Sequence, residues 1–238
     1  MNDEAAAPAS LSKGIEGQRQ FCISDIHGCS STFQALLDKI GLSKDDHLFL
    51  LGDYIDRGPD SKGVLDIIIK LMNDGFNVHP LRGNHEQMLL DALTDRRAEM
   101  LFLQNAGGRT LQSFGVKRAA DVPGIYIDFV RQTALYMEIG NWLLVHAGFN
   151  FGADDIFADT EAMLWIRDFD VSRRKLGNRR MVHGHSPWPI EQIQRQVSTG
   201  KPPASINIDA GCVYDREWSA LCALELTEMK LESVRPKE

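Results

Sequence analysis

The segment LLGDYIDRGPDS, residues 50–61, indicates the fold class of this chain. An apolar run ends at Gly52, and Asp53, Asp56 and Arg57 follow within five residues. In α/β proteins the loops that leave neighbouring strands meet at one rim, where a site can be assembled from distant parts of the sequence. A buried strand followed at once by two carboxylates and a guanidinium therefore predicts a functional site at the end of this strand.

Strand and helix patterns alternate around this segment. Apolar runs in QFCISD, HLFLLGD and NVHPL predict strands, and the amphipathic stretches between them predict helices. Helical spacing then dominates from about residue 86 to 137. Strand patterns return in WLLVHAG, RMVHGH, SINID and ALCALEL, with fewer helices between them. This asymmetry predicts an α/β protein with two packed sheets flanked by helices, in which the second sheet is more antiparallel than the first.

The domain organisation is predicted from the same pattern. Residues 1–18 begin with acidic residues and lack the basic start and apolar core of a secretory signal, so we expect a flexible N-terminal tail. Residues 19–238 are predicted to form one domain with a helical insert at about 95–140. A basic cluster at 173–180 is better explained as a solvated loop than as a docking surface.

Composition excludes several classes of protein. The 238 residues are 43% apolar and 25% charged, which is typical of a globular domain. The apolar runs are much shorter than the roughly 20 residues of a membrane-spanning helix. A net charge of −7 disfavours an extended nucleic-acid surface. The four cysteines follow no zinc or disulfide pattern, so we expect buried free thiols and a cytoplasmic location.

Metal-type ligands also follow the other predicted strands. Because side chains alternate along an extended segment, Asp25 and His27 should share one face and bind one ion. Carboxylate, imidazole and amide ligands without thiolates suit manganese, iron or zinc. Two such ions about 3.5–4 Å apart need a bridging carboxylate, for which Asp53 is the candidate. Further ligand types follow later strands: Asn84 and His85 in RGNHE, His146 in VHAG, and His183 and His185 in VHGH.

The Asp56–Arg57 pair fits phosphate ester hydrolysis. This reaction is so slow without a catalyst that accelerations reach about 10²¹, which requires an activated nucleophile and neutralised phosphate oxygens. Two metal ions can supply hydroxide at neutral pH, and Arg57 can bind phosphate oxygens through two parallel hydrogen bonds. Asp56 can hold His85 in the tautomer that donates a proton to the leaving group.

Each of these residues, taken alone, has a simpler explanation. Asn84 is a good helix cap, and His146 and His183 fit buried core positions. Asp56 and Arg57 fit a turn with a surface ion pair. Five separate blocks with ligand types at the ends of apolar runs nevertheless favour one shared site.

The combined blocks DIHG, GDYIDRG, GNHE, HAG and HGH resemble the signature of the metallophosphoesterase superfamily. They are most similar to its phosphoprotein phosphatase branch, the bacterial and phage lambda-type serine/threonine phosphatases. The resemblance spans about residues 20–215. It implies the calcineurin-like metallophosphoesterase fold, a four-layer αββα sandwich of two mixed sheets. It also implies two divalent metal ions, with manganese favoured and iron or zinc as alternatives.

The resemblance also implies residue roles. His85 would be the proton donor and Asp56 its partner. Phosphate oxygens would be bound by Arg57 and by the arginine of a Trp-x-Arg sequence, which nominates Arg167. The first ion would be bound by Asp25, His27 and Asp53, and the second by Asp53, Asn84, His146 and His185. Asp209 would support His185.

The implied activity is that of a di-metal phosphomonoesterase whose metal-bound hydroxide attacks phosphoserine or phosphothreonine in proteins. The partner would be a phosphorylated protein or peptide, with no nucleic acid and no membrane involved. The alternative is a symmetrical diadenosine tetraphosphate hydrolase, a relative in which the aspartate before the arginine of the second block is typically replaced. The retained Asp56 favours the protein phosphatase. A non-catalytic phosphoprotein-binding module is disfavoured, because every ligand, the proton donor and both arginines are present.

Overall fold

The structure is a computed structural model that describes residues 9–11, 17–198 and 203–238. Ten strands in these ranges form two five-stranded sheets. The strands are β1 (Ala9–Leu11), β2 (Gln20–Ile23), β3 (His47–Leu50), β4 (Asn77–Pro80), β5 (Tyr136–Ile139), β6 (Trp142–Val145), β7 (Arg180–His183), β8 (Ser205–Asn207), β9 (Leu221–Glu225) and β10 (Lys230–Val234).

Nine α-helices are present in the same ranges. They are α1 (Ser30–Ile40), α2 (Ser61–Asn73), α3 (Asn84–Ala92), α4 (Arg96–Phe102), α5 (Gly108–Phe114), α6 (Gly124–Arg131), α7 (Thr160–Trp165), α8 (Arg173–Leu176) and α9 (Ile190–Ser198). A kink at Leu103–Gly107, where Ala106 has a φ of 72°, joins α4 to α5, and a 3₁₀ turn at Ala119–Asp121 precedes α6.

The directions of the strands differ from the sequence prediction in one respect. The first sheet has the order β10-β9-β2-β3-β4, with two antiparallel pairs, β10–β9 and β9–β2. The second has the order β1-β5-β6-β7-β8, with one antiparallel pair, β5–β6. The prediction that the second sheet is the more antiparallel is therefore wrong. Helical connections make β6, β7 and β8 parallel, and the last two strands return to the first sheet.

The layers follow from alternation along the strands. Cys22 and Phe49 point into the space between the sheets, where they pack with Leu144 and Val182 of the second sheet. Their neighbours on β2 and β3 point outward into a core shared with α1 and α2. On the far side α7 packs against the outer face of the second sheet. The predicted αββα sandwich of two mixed sheets is thereby confirmed.

Two predicted boundaries differ from the structure. Within the expected N-terminal tail, Ala9–Leu11 forms a strand that pairs in parallel with β5, while residues 1–8 and 12–16 lie outside the described residues. The helices of the insert, α4 to α6, lie between Arg96 and Arg131, and β5 begins at Tyr136, before the expected end near residue 140.

The state of the cysteines and the lengths of the helices agree with what the sequence predicts. All four cysteines are buried and free, as predicted. Across the described ranges, every helix is too short or too polar to cross a membrane. The cytoplasmic location remains a prediction.

Candidate active site

The predicted site residues lie at the carboxyl ends of parallel strands. In the first sheet β2, β3 and β4 run parallel, as do β6 and β7 in the second, so the loops that follow them can meet at one rim. The two arginines are at least partly exposed. The other eight predicted residues are at most 5% exposed: Asp25, His27, Asp53, Asp56, Asn84, His85, His146 and His185.

Left-handed backbone conformations are concentrated in this site. Of the eight non-glycine residues with positive φ in the described ranges, six are predicted site residues. Such conformations cost about 1–3 kcal/mol each and persist where the surrounding structure fixes them, typically at functional sites. The six are Asp25, His27, Asp53, Asp56, Arg57 and His185, with φ between 47° and 70°.

Asp25 and His27 reach the site by a different backbone path from the one predicted. β2 ends at Ile23, and both residues lie beyond it with φ of 50° and 47°. The expected strand alternation is therefore wrong for this segment, because the chain turns where an extended strand was assumed. The backbone N–H of His27 donates to the carbonyl oxygen of Asp53 over 2.8 Å, which fixes this turn against the loop after β3.

Two glycines allow these loops to approach closely. A Cβ atom at Gly83 would lie 2.2 Å from Oδ1 of Asp53, and one at Gly184 would lie 2.0 Å from Oδ2 of Asp25. Both distances are far inside van der Waals contact. Any side chain at either position would displace a buried carboxylate.

The first of two ligand groups surrounds His146. Nδ1 of His146 donates to the carbonyl oxygen of Leu51 over 2.9 Å, so Nε2 must present a lone pair. Around Nε2 lie Asn84 Oδ1 at 3.0 Å, His185 Nδ1 at 3.1 Å and Asp53 Oδ1 at 3.5 Å. Nε2 of His185 is buried without a hydrogen-bond partner. A cation placed among these atoms would let all of them act as acceptors, and this set of ligand atoms fits a divalent metal ion.

The second ligand group surrounds His27. Its Nδ1 donates to the carbonyl oxygen of Ile55 over 2.9 Å, which again leaves Nε2 with a lone pair. Oδ2 of Asp53 lies 3.4 Å from that nitrogen, and Nε2 of His85 lies 4.0 Å from the same oxygen. Nη1 of Arg57 is 2.6 Å from Nε2 of His27. A metal ion bound to His27 would therefore have to replace this contact with Arg57.

Asp53 belongs to both groups. Its Oδ1 faces His146 and its Oδ2 faces His27, which is the arrangement that a bridging carboxylate needs. Burial raises the pKa of Asp53 to about 7, and the Asp25 carboxylate adds to the rise. A bound cation would counteract this rise, because the ion would be the largest local charge. Burial also lowers the pKa of His27, His146 and His185, so these imidazoles are neutral and can bind a metal at pH 7.

Asp25 and Asn84 differ in how closely they approach the ligand groups. Oδ2 of Asp25 accepts the backbone N–H of His185 over 3.0 Å, and within the described ranges Asp25 is outside both clusters of ligand atoms. Asn84 is the first residue of α3, whose N-cap is Gly83. The helix-cap explanation for Asn84 is therefore wrong, and its side-chain oxygen faces His146.

His85 and Asp56 form the predicted pair. Nδ1 of His85 lies 2.7 Å from Oδ2 of Asp56. Burial disfavours charge on both, raising the pKa of Asp56 to about 8 and lowering that of His85. The hydroxyl of Thr110, on α5 of the helical insert, donates to Oδ1 of Asp56 and accepts its backbone N–H over 2.9 Å. No sequence pattern pointed to Thr110. It nevertheless fixes the Asp56 carboxylate, which in turn contacts Nδ1 of His85.

Replacing Thr110 with Val should lower kcat about tenfold while leaving metal content unchanged. A hydrogen bond is worth about 0.5–1.5 kcal/mol between neutral groups and about 1.5–3 kcal/mol to a charged group, and about 1.4 kcal/mol in the transition state is a factor of ten in rate. Steady-state kinetics on a chromogenic phosphate ester would measure the effect. Thr110→Ser keeps the hydroxyl and should retain most of the rate; a wild-type rate in Thr110→Val would show that the hydrogen bond does not matter.

Glu86 is a further residue that the sequence analysis missed. It is fully buried, and its carboxylate accepts the backbone N–H groups of Asp53, Tyr54, Ile55 and Gly83 over 2.7–3.3 Å. One side chain therefore fixes the loop after β3 and the start of α3 together. The available signal was the last letter of GNHE, an acidic residue at the third position of a helix, where a carboxylate reaches back to free N–H groups.

The two predicted phosphate-binding arginines both face the rim. Arg57 contacts His27, and Nη1 of Arg167 donates to the carbonyl oxygen of His185 over 3.1 Å and to Oγ of Ser186 over 3.3 Å. Among the residues that the structure describes, neither forms an ion pair with a carboxylate. Both guanidinium groups can therefore bind phosphate oxygens.

His183 and Asp209 lie outside the ligand groups. The ring of His183 packs edge-on against Phe169 with 5.4 Å between centroids, and burial lowers its pKa to about 4. The structure thus brings His185, and not His183, to the ligand group around His146. Oδ1 of Asp209 accepts a backbone N–H of the loop after β8, and within the described residues Nε2 of His185 has no hydrogen-bond partner, so the predicted support of His185 by Asp209 stays a prediction.

Comparison with known proteins adds the following. Residues 19–226 match the family described as calcineurin-like phosphoesterase. The symmetrical bis(5′-nucleosyl)-tetraphosphatase of Acidovorax sp. (strain JS42) is 34% identical over 183 residues, covering 72% of this chain and 59% of the relative. The asymmetrical bis(5′-nucleosyl)-tetraphosphatase PrpE of Geobacillus thermodenitrificans (strain NG80-2) is 25% identical over 239 residues, covering 90% and 94%. A crystal structure of the cold-active protein-tyrosine phosphatase of Shewanella sp. superimposes with a TM-score of 0.64 at 17% identity, covering 98% and 84%.

These findings correct one prediction and establish the family. The chain spans only 59% of the length of the Acidovorax relative. Because both curated relatives are named as hydrolases of dinucleoside tetraphosphates, the predicted phosphoprotein partner is wrong. The strand-end blocks alone therefore did not identify the partner. With residues 19–226 matched, the chain belongs to the calcineurin-like phosphoesterase family.

Proposed function

We propose that this chain is a divalent-metal-dependent hydrolase of dinucleoside tetraphosphates. The observation that carries the reaction class is Asp53, whose two oxygens face two separate groups of metal-type ligands. The substrate class is supported by 34% identity to a symmetrical tetraphosphatase over 183 residues.

Two divalent ions bound at these groups would activate water and neutralise charge on the phosphate. Manganese is the first candidate, with iron or zinc as alternatives, because the donors are carboxylate, imidazole and amide groups without a thiolate. The proposed ligands are Asp25, His27 and Asp53 for one ion, and Asp53, Asn84, His146 and His185 for the other.

The remaining residues bind the phosphate and move a proton. Arg57 and Arg167 would bind oxygens of the phosphate that is attacked. Nε2 of His85 would give its proton to the oxygen of the leaving nucleotide, while Asp56 holds the ring through Nδ1 over 2.7 Å.

The position of the cut distinguishes two forms of this proposal. Symmetrical cleavage, which yields two nucleoside diphosphates, is the first candidate because the Acidovorax relative has the higher identity. Asymmetrical cleavage, which yields a nucleoside triphosphate and a monophosphate, is the second. It is supported by the match to PrpE, which covers 94% of that relative.

Product analysis after metal exchange tests the proposal. Protein stripped with a chelator and then refilled with Mn²⁺, Fe²⁺ or Zn²⁺ should cleave diadenosine tetraphosphate, and the stripped protein should not. Anion-exchange chromatography should show ADP alone, whereas ATP with AMP would establish the second candidate. If the refilled protein hydrolysed p-nitrophenyl phosphate but left the dinucleotide intact, the proposed substrate would be wrong.

A further inference from the structure

A cleft of about 570 Å³ adjoins the ligand group around His146. His183 and Asn207, the last residues of β7 and β8, line it, so it lies at the same edge of the second sheet as the candidate site. Arg167 lines the cleft and also donates to the carbonyl oxygen of His185. A ligand in this cleft would therefore extend directly from the phosphate site.

The side chains of the cleft combine aromatic and acidic groups. Phe169 and Trp188 are half-buried and present ring surface to the cavity. Asp168 and Asp170 are exposed and form no ion pair within the described part of the chain. Oγ of Ser205 is buried and has no hydrogen-bond partner. The cleft thus offers stacking surface and several polar groups that are free to bind a ligand.

These groups favour a nucleoside over a second phosphate or an acidic peptide. Two carboxylates repel phosphate, but they accept hydrogen bonds from ribose hydroxyls and from the amino groups of bases. Aromatic side chains can stack on any of the bases, because every base has a flat π-face. The volume falls in the range of small-molecule sites, about 300–1,000 Å³. Arg167, the cation that lines the cleft beside the carboxylates, contacts His185, where the phosphate chain would enter.

We propose that this cleft binds one nucleoside of the substrate, with the base against Trp188 and Phe169 and the sugar hydroxyls on Asp168 and Asp170. Arg167 then holds the attacked phosphate at the point where the cleft meets the reaction centre. This inference rests on the proposed function and adds to it the part of the chain that selects a nucleotide.

The test compares a substrate that has nucleosides with one that has none. For Trp188→Leu, the kcat/KM for diadenosine tetraphosphate divided by that for p-nitrophenyl phosphate should fall about tenfold. That change corresponds to about 1.4 kcal/mol, which base stacking can supply. The inhibition constant of ADP should rise by a similar factor, and that of inorganic phosphate should not. Asp168→Asn should lower the same ratio severalfold, because it weakens hydrogen bonds at the cleft.

Two matched variants control for general damage. Trp142→Leu removes a tryptophan at the opposite end of the same sheet, and Asp154→Asn removes an exposed carboxylate outside the cleft. Both should leave the substrate ratio unchanged. Trp188 also packs against Ile193 and its neighbours, so Asp168→Asn keeps the test valid if Trp188→Leu unfolds.

The outcomes separate this inference from the proposed function. If wild-type protein cleaves the dinucleotide and the ratio is unchanged in both cleft variants, the nucleoside subsite is wrong and the proposed function stands. An equal loss on both substrates would also overturn the subsite, since it would indicate a structural role. Failure of wild-type protein on the dinucleotide, with p-nitrophenyl phosphate still hydrolysed, would overturn the proposed function itself.

Discussion

Asp53→Asn should release both metal ions and lower kcat/KM by about 10³-fold or more. The carboxylate supplies one oxygen to the His146 group and the other to the His27 group. The asparagine amide has only one oxygen, and that oxygen is neutral. Its NH₂ group would direct hydrogens at the ligand atoms of one of the two groups, where a metal ion should bind. Bound metal ions supply several kcal/mol of transition-state stabilisation, and about 1.4 kcal/mol is a factor of ten. This is the largest loss that we expect from a single substitution.

Metal analysis of the purified variant, after refilling with Mn²⁺, measures the effect directly. Asp46→Asn is the matched control, because Asp46 is a buried acid just before β3, at the opposite end of that strand, where it pairs with Arg19. The control should lose some stability and keep its metal and its activity. Retention of one tightly bound ion at full occupancy in Asp53→Asn would show that Asp53 does not bridge.

His85→Asn should lower kcat by about 10²–10⁴ on phenyl phosphate with metal content unchanged, because that is the usual contribution of general acid catalysis. The loss should be smaller on p-nitrophenyl phosphate, whose leaving group needs less help from a proton. The physical basis is the 2.7 Å contact between Nδ1 and Asp56, which leaves Nε2 free to face the substrate.

The comparison of two leaving groups separates a proton donor from a metal ligand. Nε2 of His85 lies in the group around His27, so a ligand role is the competing explanation. Loss of metal in His85→Asn, with equal losses on both esters, would establish that role instead. His79→Asn is the control: it makes the same substitution on β4, where His79 pairs with His47 outside the site.

The sequence predicted those site residues that come just after an apolar run, because a short stretch of the chain is enough to recognise them. His146 directly follows the end of the apolar strand β6, and Asp53 follows the end of the apolar strand β3 after two residues. Because such ends meet at one rim in α/β folds, their convergence could be expected without coordinates. The two packed sheets could also be expected from the sequence, because they follow from the number of predicted strands and the helices between them.

Other features depend on contacts between distant residues or on backbone geometry. Thr110 and Asp56 are 54 positions apart, so only packing of the insert brings them together. The turns at Asp25 and His27 are left-handed, which hydrophobic periodicity does not report. The placement of β9 beside β2 joins residues about 200 positions apart. The wrong phosphoprotein partner was predicted from the short blocks alone, with the dinucleotide hydrolase kept as the alternative.

The hydroxyl that α5 contributes to Asp56 has a consequence for engineering this scaffold. The helical insert contributes none of the proposed metal ligands, yet its helix α5 positions the residue that orients His85. A graft that omitted this single oxygen would lower the rate even with every proposed metal ligand in place. Chimeras should therefore be built with that position held fixed.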